Sequence, residues 1–379
     1  MRIAYLTDSV SEIGGLQCVT VLKVNALADV PGNEVWLVLT DDTKTHFHSV
    51  SPKVHIIDLD VNYYEDDWKS DINVLKGIIF KRLRHKRLLR EVLHSVKPDV
   101  VISTGTSEKN LILRIKGNWA TVREIHSVRN YRHLTAAGLF QKLSAYAGDL
   151  LDYGLSIRKN DRIVVLTEED KENNWKGYDN VVVIPNPVMP VSAPPSPLTE
   201  NRIAAVGRLV PIKGFSYLIR SFKKVSESFP DWELDIWGEG GLKSVLKEEI
   251  DKNGLTGKVC LRGTSNSVQQ ELPACSIYVC TALFDGFGLS ILEAMSCGLP
   301  VVSFDCDYGP RAMIEDGKDG FLVPVGNIEM LGERICRLIE NEELRKKMGA
   351  AALEKSKRYS ADRVIGMWMD LFKELCKEK

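Results

Sequence analysis

Two stretches in the second half of the chain combine the residue types that grip a phosphate. The first, Gly207-Arg208-Leu209-Val210-Pro211-Ile212-Lys213-Gly214, follows a β-branched run and sets two cations, Arg208 and Lys213, in a loop ahead of a helix. The second, Leu283-Phe284-Asp285-Gly286-Phe287-Gly288-Leu289-Ser290-Ile291-Leu292-Glu293, follows the apolar run Ile277-Tyr278-Val279-Cys280. Gly286 and Gly288 let a ligand approach the backbone closely, and the helix after them points free N–H groups and its positive dipole end at that ligand. Glu293 lies about 8 Å along this helix at 1.5 Å per residue, a reach suited to the step from phosphate to ribose. Asp285 is expected at the loop mouth, facing a sugar. Cations and amides for a pyrophosphate, with a carboxylate for ribose hydroxyls, are what a nucleoside diphosphate requires. Two loop cations alone are more often solvated surface; the second stretch gives them a ligand.

These loops need strands and helices to hold them. Short β-branched runs recur, each followed by a loop and an amphipathic stretch of helix length, which predicts parallel α/β layers. The expected strands are 2–7, 34–39, 54–58, 99–103, 120–125, 162–166 and 181–184, then 202–206, 233–237, 258–261, 277–280 and 301–304. At 379 residues the chain exceeds what one core usually organises. The expectation is two Rossmann-like domains: 1–185 for an acceptor, and 201–360 for a nucleotide sugar. A proline-rich linker is expected over 186–200, since Pro185, Pro187, Pro190, Pro194, Pro195 and Pro197 leave no room for a helix or interior strand. Two such sheets turn the carboxyl ends of their strands towards a shared crevice, the expected active site. The segment 361–379 reads as a helix crossing back to the first domain, with Val364, Met367, Trp368, Leu371, Phe372 and Leu375 on one face.

The stretch from Asp285 to Glu293 resembles the E-x7-E signature of family 4 glycosyltransferases of the glycosyltransferase-B (GT-B) fold, with Asp285 in place of the first glutamate. The Gly207–Gly214 stretch resembles that family's G-R-L-x-x-x-K-G hallmark. Gly238-Glu239-Gly240, Gly263, and Glu315 with Gly317 and Gly320 fall at the family's spacing too, so the likeness is strong over about 185–355 and weak before it. In the first half, Gly14-Gly15 resembles the family's amino-terminal glycine loop, although a plain strand-to-helix turn explains it as well. His126 ends the run 120–125 where the family places a histidine against the donor; a lone histidine is otherwise usually structural. The resemblance implies a retaining, metal-independent transfer with no protein nucleophile. It implies that Arg208 and Lys213 hold the pyrophosphate and offset charge on the leaving group. It further implies ribose on Glu293 and donor-sugar hydroxyls on Asp285, with Gly15, Gly238, Gly263, Gly286, Phe287, Gly288 and Leu289 lining the donor site and His126 among the catalytic groups. Asp is one methylene shorter than Glu, which bears on the sugar taken. Two D-x-D runs, Asp58-Leu59-Asp60 and Asp305-Cys306-Asp307, spell the metal motif of another fold; no metal and no cofactor beyond the sugar nucleotide is expected.

Composition narrows the partners. A formal net charge of -1 gives no general attraction to nucleic acid. Eight cysteines without a CxxC pair read as reduced thiols in a cytoplasmic protein. No apolar window reaches the length of a membrane span and no signal peptide is expected. One segment, 76–97, carries eight Lys or Arg against one Glu among apolar residues at helical spacing. It reads equally as a helix lying on anionic lipid at the inner face of the membrane and as a packed helix with a solvated basic face. The expected reaction moves a hexose or N-acetylhexosamine, from a UDP-sugar first of all, to a saccharide or polyprenyl-diphosphate-linked acceptor in surface polysaccharide or glycolipid synthesis. A sugar-nucleotide epimerase on the same plan and a non-catalytic sugar-nucleotide-binding subunit stay open.

Overall fold

The computed structural model describes residues 1–11, 14–42, 49–63, 72–105, 107–126, 157–189, 191, 193–265 and 268–378, with side chains for the same residues except 72–78. The chain divides into two compact units, Met1–Pro187 with Ala361–Lys379, and Val188–Ser360.

In the first unit, seven strands form one parallel sheet: β1 (Arg2–Thr7), β2 (Glu34–Leu39), β3 (Val54–Asp58), β4 (Val100–Ser103), β5 (Ala120–Glu124), β6 (Arg162–Val165) and β7 (Val181–Val183). Their order is β3-β2-β1-β4-β5-β6-β7, the doubly wound arrangement. Helices α1 (Gly15–Asp29), α2 (Ile72–Val96) and α3 (Glu168–Asn174) connect strands, and α11 (Ala361–Lys377) returns from the end of the chain. Strand β4 is buried along its whole length, as a parallel strand covered on both faces must be. One core joins β1, β2 and β4 to α1 and to Val364, Ile365, Trp368, Leu371, Phe372 and Leu375 of α11. Met367, expected on that buried face, is 41% exposed, and Ile365 takes its place. The helical period set the stripe correctly but misjudged its edge by one residue.

The second unit repeats the plan with β8 (Arg202–Val206), β9 (Glu233–Trp237), β10 (Val259–Gly263), β11 (Ile277–Cys280), β12 (Val301–Phe304) and β13 (Gly320–Val323). All pair in parallel in the order β10-β9-β8-β11-β12-β13. Its helices are α4 (Phe215–Ser228), α5 (Lys243–Lys252), α6 (Val268–Glu271), α7 (Leu289–Ser296), α8 (Pro310–Met313), α9 (Ile328–Glu340) and α10 (Glu342–Ser356). Asn327 and Asn341 start α9 and α10 by accepting from the amides of Met330 and Leu344, satisfying donors the helices leave free. Leu218, Ile219 and Phe222 of α4 and Leu331 and Ile335 of α9 pack on Ile203, Leu234 and Val302 of the sheet.

Two differences from the sequence reading matter here. Strand β13 is absent from the expected strands, since Phe321-Leu322-Val323 follows Glu315, Gly317 and Gly320, which stood out only for their spacing. Pairing with β12 decides its state, and pairing is not visible in a short apolar run. The expected linker also differs: its later part packs on the second unit. Ser196 N donates to Cys297 O at 2.9 Å, and Leu198 O accepts from the Arg345 guanidinium at 3.1 and 3.2 Å. Prolines forbid regular structure, and they do not forbid docking.

Candidate donor site

At the carboxyl edge of the second sheet, consecutive loops are laced by backbone hydrogen bonds. Gly207 N donates to Trp237 O at 3.0 Å, Leu209 N to Glu239 O at 2.8 Å and Gly238 N to Gly263 O at 2.7 Å. Leu283 N donates to Ile212 O at 2.8 Å, and Thr281 Oγ1 to Lys213 O at 3.1 Å. The loops after β8, β9, β10 and β11 thus form one scaffold. Two glycines permit it. Gly238 has φ 144°, and a Cβ there would lie 1.9 Å from Gly207 O; Gly214 has φ 65°, and a Cβ there would lie 2.1 Å from Thr281 O. Only glycine tolerates both the positive φ and the close approach.

Lys213 ends the first of these loops and Asp285 lies in the loop before α7. The fold brings them together across 72 residues: Lys213 Nζ is 2.6 Å from Asp285 Oδ2. Asp285 Oδ1 accepts from the amides of Phe287 at 3.2 Å and Gly288 at 2.8 Å. Burial disfavours the Asp285 charge, but Lys213 and these amides outweigh it and hold the carboxyl below its usual range. Burial likewise opposes the Lys213 charge, and Asp285 outweighs it and raises the ammonium. The Asp285 carboxylate thus lies on Lys213 and on the Phe287 and Gly288 amides of its own loop. The physical reason is Asp285 itself: its short side chain two and three residues before those amides makes a local turn bond. Phe287 is buried, its ring 6.0 Å from that of Tyr359.

Helix α7 begins after Gly288, and its first internal bond runs from Leu292 N to Gly288 O at 3.1 Å, so the amides of Leu289, Ser290 and Ile291 precede the ladder. Glu293 sits four residues into α7, half-buried, with no side-chain partner among the described residues, and burial alone pushes its carboxyl up to about 7. Arg208 is exposed and forms no ion pair among the described residues. Gly286 is half-buried and Gly263 ends β10 with φ 75°. The edge therefore offers a free guanidinium, an ammonium paired with one carboxylate, helix-start amides and an unpartnered carboxylate. Together these suit an anionic ligand that also carries hydroxyls.

The first unit places Gly15 at the exposed start of α1, after an extended Gly14 with φ −163°. His126 follows β5, where its Nε2 lies 3.1 Å from Glu124 Oε1. Glu124 is fully buried and also binds the Lys23 ammonium and the Tyr5 hydroxyl. Lys23 and Glu124 were missed in the sequence. Their signals were a lysine within the apolar run Val21-Leu22-Lys23-Val24 and a glutamate in alternation with Ala120 and Val122 on one side of a strand. The D-x-D runs are also placed: Arg311 holds Asp305 at 2.9 Å and Asp307 at 3.6 Å, while Asp58 Oδ1 accepts from Asp60 N at 3.0 Å.

The fold defines a class: two doubly wound, parallel-sheet units of the Rossmann-like kind. Residues 192–355, nearly all of the second unit, match the family described as "Glycosyl transferases group 1". An exopolysaccharide phosphotransferase of Streptomyces coelicolor is 30% identical over 328 residues, covering 85% of this chain and 32% of that protein. A poly(ribitol-phosphate) alpha-N-acetylglucosaminyltransferase of Staphylococcus aureus is 28% identical over 287 residues, covering 75% of this chain and 57% of that protein. The chain thus spans only part of the length of these relatives. Among solved structures, a Staphylococcus aureus TarM mutant in complex with fondaparinux, alpha-GlcNAc-glycerol and UDP superposes with a TM-score of 0.78 at 17% identity, covering 98% of this chain and 99% of that one. This likeness is one of fold, the GT-B arrangement of two parallel-sheet Rossmann-like domains.

Proposed function

We propose that the protein transfers a sugar, with retention of anomeric configuration and without a metal ion, from a nucleoside diphosphate sugar to a hydroxyl of a saccharide or lipid-linked saccharide. UDP is the preferred nucleotide in this reading. The observation that carries it is Glu293: an unpartnered, half-buried carboxylate on the same helix whose first amides, with Arg208 and Lys213, suit a diphosphate. Ribose hydroxyls would give this carboxylate the donors it lacks. In this reading the two cations would neutralise charge on the departing diphosphate, a role that does not call for a divalent ion. His126 is proposed to serve the same reaction from the first unit. Support for a saccharide acceptor comes from the relatives, whose names describe action on exopolysaccharide and poly(ribitol-phosphate).

The test is a melting-temperature screen against UDP, GDP and ADP sugars, then a transfer assay in EDTA with the product anomer read by NMR. UDP-sugars should stabilise the protein most, and transfer should persist in chelator and keep the donor's configuration. Consumption of UDP-sugar to an isomer without an acceptor would point to an epimerase instead. UDP binding with no turnover would point to a binding subunit.

Contact with an anionic membrane belongs to the same proposal. In α2, Leu89 and Leu93 pack on the sheet, while Ile79, Phe80 and Leu83 are 54, 69 and 63% exposed beside the exposed Arg82, Arg87 and Arg90. A surface of anionic lipid gives the apolar trio a partner and each base about 1 kcal/mol. Sedimentation should favour phosphatidylglycerol over phosphatidylcholine vesicles and fall in Phe80→Glu/Leu83→Glu; equal binding to both vesicles would remove this part.

A further inference from the structure

Charge is scarce in the interior of an α/β unit, because moving an ion out of water is costly unless it is paired and fully bonded. The first unit nevertheless buries one ion pair completely. Lys23 of α1 is 1% exposed, Glu124 of β5 is 0% exposed, and the Lys23 ammonium binds Glu124 Oε1. Glu124 Oε2 accepts from the hydroxyl of Tyr5 in β1, itself fully buried. Lys23 Nζ also lies 3.4 Å from Asn186 Oδ1 and 5.6 Å from the ring centre of Trp368 in α11, so α11 closes the pair from above. Burial works against the Glu124 charge, yet the Lys23 ammonium outweighs it and holds the carboxyl well below the usual carboxylate range. Four separate elements converge to keep this one carboxylate ionised.

Among the described residues the imidazole beside it is His126, two residues on, where β5 ends at the sheet's carboxyl edge. Among the described residues, the charged groups facing His126 are Glu124 and Arg123 of β5 and Lys23 of α1. Nε2 points inward, 3.1 Å from Glu124 Oε1, in an alignment that falls short of a hydrogen bond. Bonds of this kind often tighten only when substrate arrives. A carboxylate against one ring nitrogen fixes the tautomer, leaving the other nitrogen as an acceptor.

We propose that Glu124, held ionised by Lys23 and braced by Tyr5, is the positioning residue that sets the orientation and tautomer of His126 for sugar transfer. The inference rests on the proposed function for its activity readout, and its second readout does not. Burial lowers the His126 pKa despite Glu124, which favours the neutral imidazole, the form able to accept a hydrogen bond. Lys23 and Glu124 act through His126 and touch no substrate themselves.

Removing one partner of a buried pair strands the other, whereas replacing all members with apolar groups is often neutral or stabilising. The variant Y5F/K23M/E124L is therefore expected to fold, as judged by its melting transition, and to bind UDP within about twofold of wild type, since that site is in the other unit. Its kcat should fall about tenfold or more. In the H126A background the same three changes should alter kcat less than about twofold, because coupled residues do not add. Imidazole 15N shifts of His126 should report one neutral tautomer in wild type and a mixture in the variant. A variant with wild-type kcat and an unchanged tautomer would overturn the proposal. So would an equal loss of kcat with and without His126, which marks a purely structural pair. Should wild type transfer no sugar, the transferase reading fails while the 15N shifts still decide this one.

Discussion

Glu293 meets opposing demands at the scale of a single residue. Its folded pKa of about 7 exceeds the ordinary carboxyl value of 4.5, so in the ligand-free protein its ionised form is disfavoured. The native state then binds more protons than the unfolded chain between those values, and stability falls as pH rises from about 4.5 to about 7. Glu293→Gln should therefore leave the melting temperature near wild type at pH 4.5 and raise it at pH 8, by about 1–3 kcal/mol of stability. The same change should weaken UDP about tenfold by removing the charged acceptor. Melting curves across pH with and without UDP measure both. Lys213 and Asp285 illustrate what residue types reveal and what they hide. Each was recognisable as site material from its motif, but nothing in two loops 72 residues apart indicates that they bond to each other. A double-mutant cycle on Lys213→Ala and Asp285→Asn should give a coupling of about 1–2 kcal/mol in stability, measured by urea denaturation.

Loops at strand ends act at the scale of elements, and the proposed donor site depends on their mutual fit. Gly238→Ala would force a Cβ to 1.9 Å from Gly207 O at a φ of 144°. The loops after β8 and β9 would have to part, costing about 2–4 kcal/mol and most of the UDP-induced rise in melting temperature. A circular dichroism melt with and without UDP tests this; an alanine variant that still responds fully to UDP would show that the lacing is dispensable. Parallel strands buried on both faces, such as Val100–Ser103 and Ile277–Cys280, were legible because they are continuous apolar runs between turn residues. Strand β13 was not, since Phe321-Leu322-Val323 is too short to declare its state without its partner β12. Helix α2 was legible as a basic amphipathic element. Its division into a packed half around Leu89 and Leu93 and an exposed trio at Ile79, Phe80 and Leu83 depends on what the sheet covers, which no periodicity reports.

The whole molecule is two units of one plan, and the chain's last helix belongs to the first of them. Trp368 is 1% exposed in the first unit's core, so Trp368→Ala should cost about 3–5 kcal/mol there. Hydrogen exchange should quicken in β1, β2 and β4 and stay unchanged in β8, β11 and β12; an equal change in both units would contradict this division. Two doubly wound units could be read from the restart of the strand pattern after the prolines. The site chemistry was legible mostly in the second, where several motifs stand in order. It was faint in the first, where the buried Lys23–Glu124 pair comes from residues 101 apart in sequence. The central claim is that Arg208, Lys213 and the start of α7 hold a nucleoside diphosphate without a divalent ion. Calorimetric titration of UDP in excess EDTA tests it most directly. Saturable binding that weakens about a hundredfold in Arg208→Ala/Lys213→Ala is the predicted result. Binding that appears only when Mg²⁺ or Mn²⁺ is added, or that survives in the double variant, would contradict it.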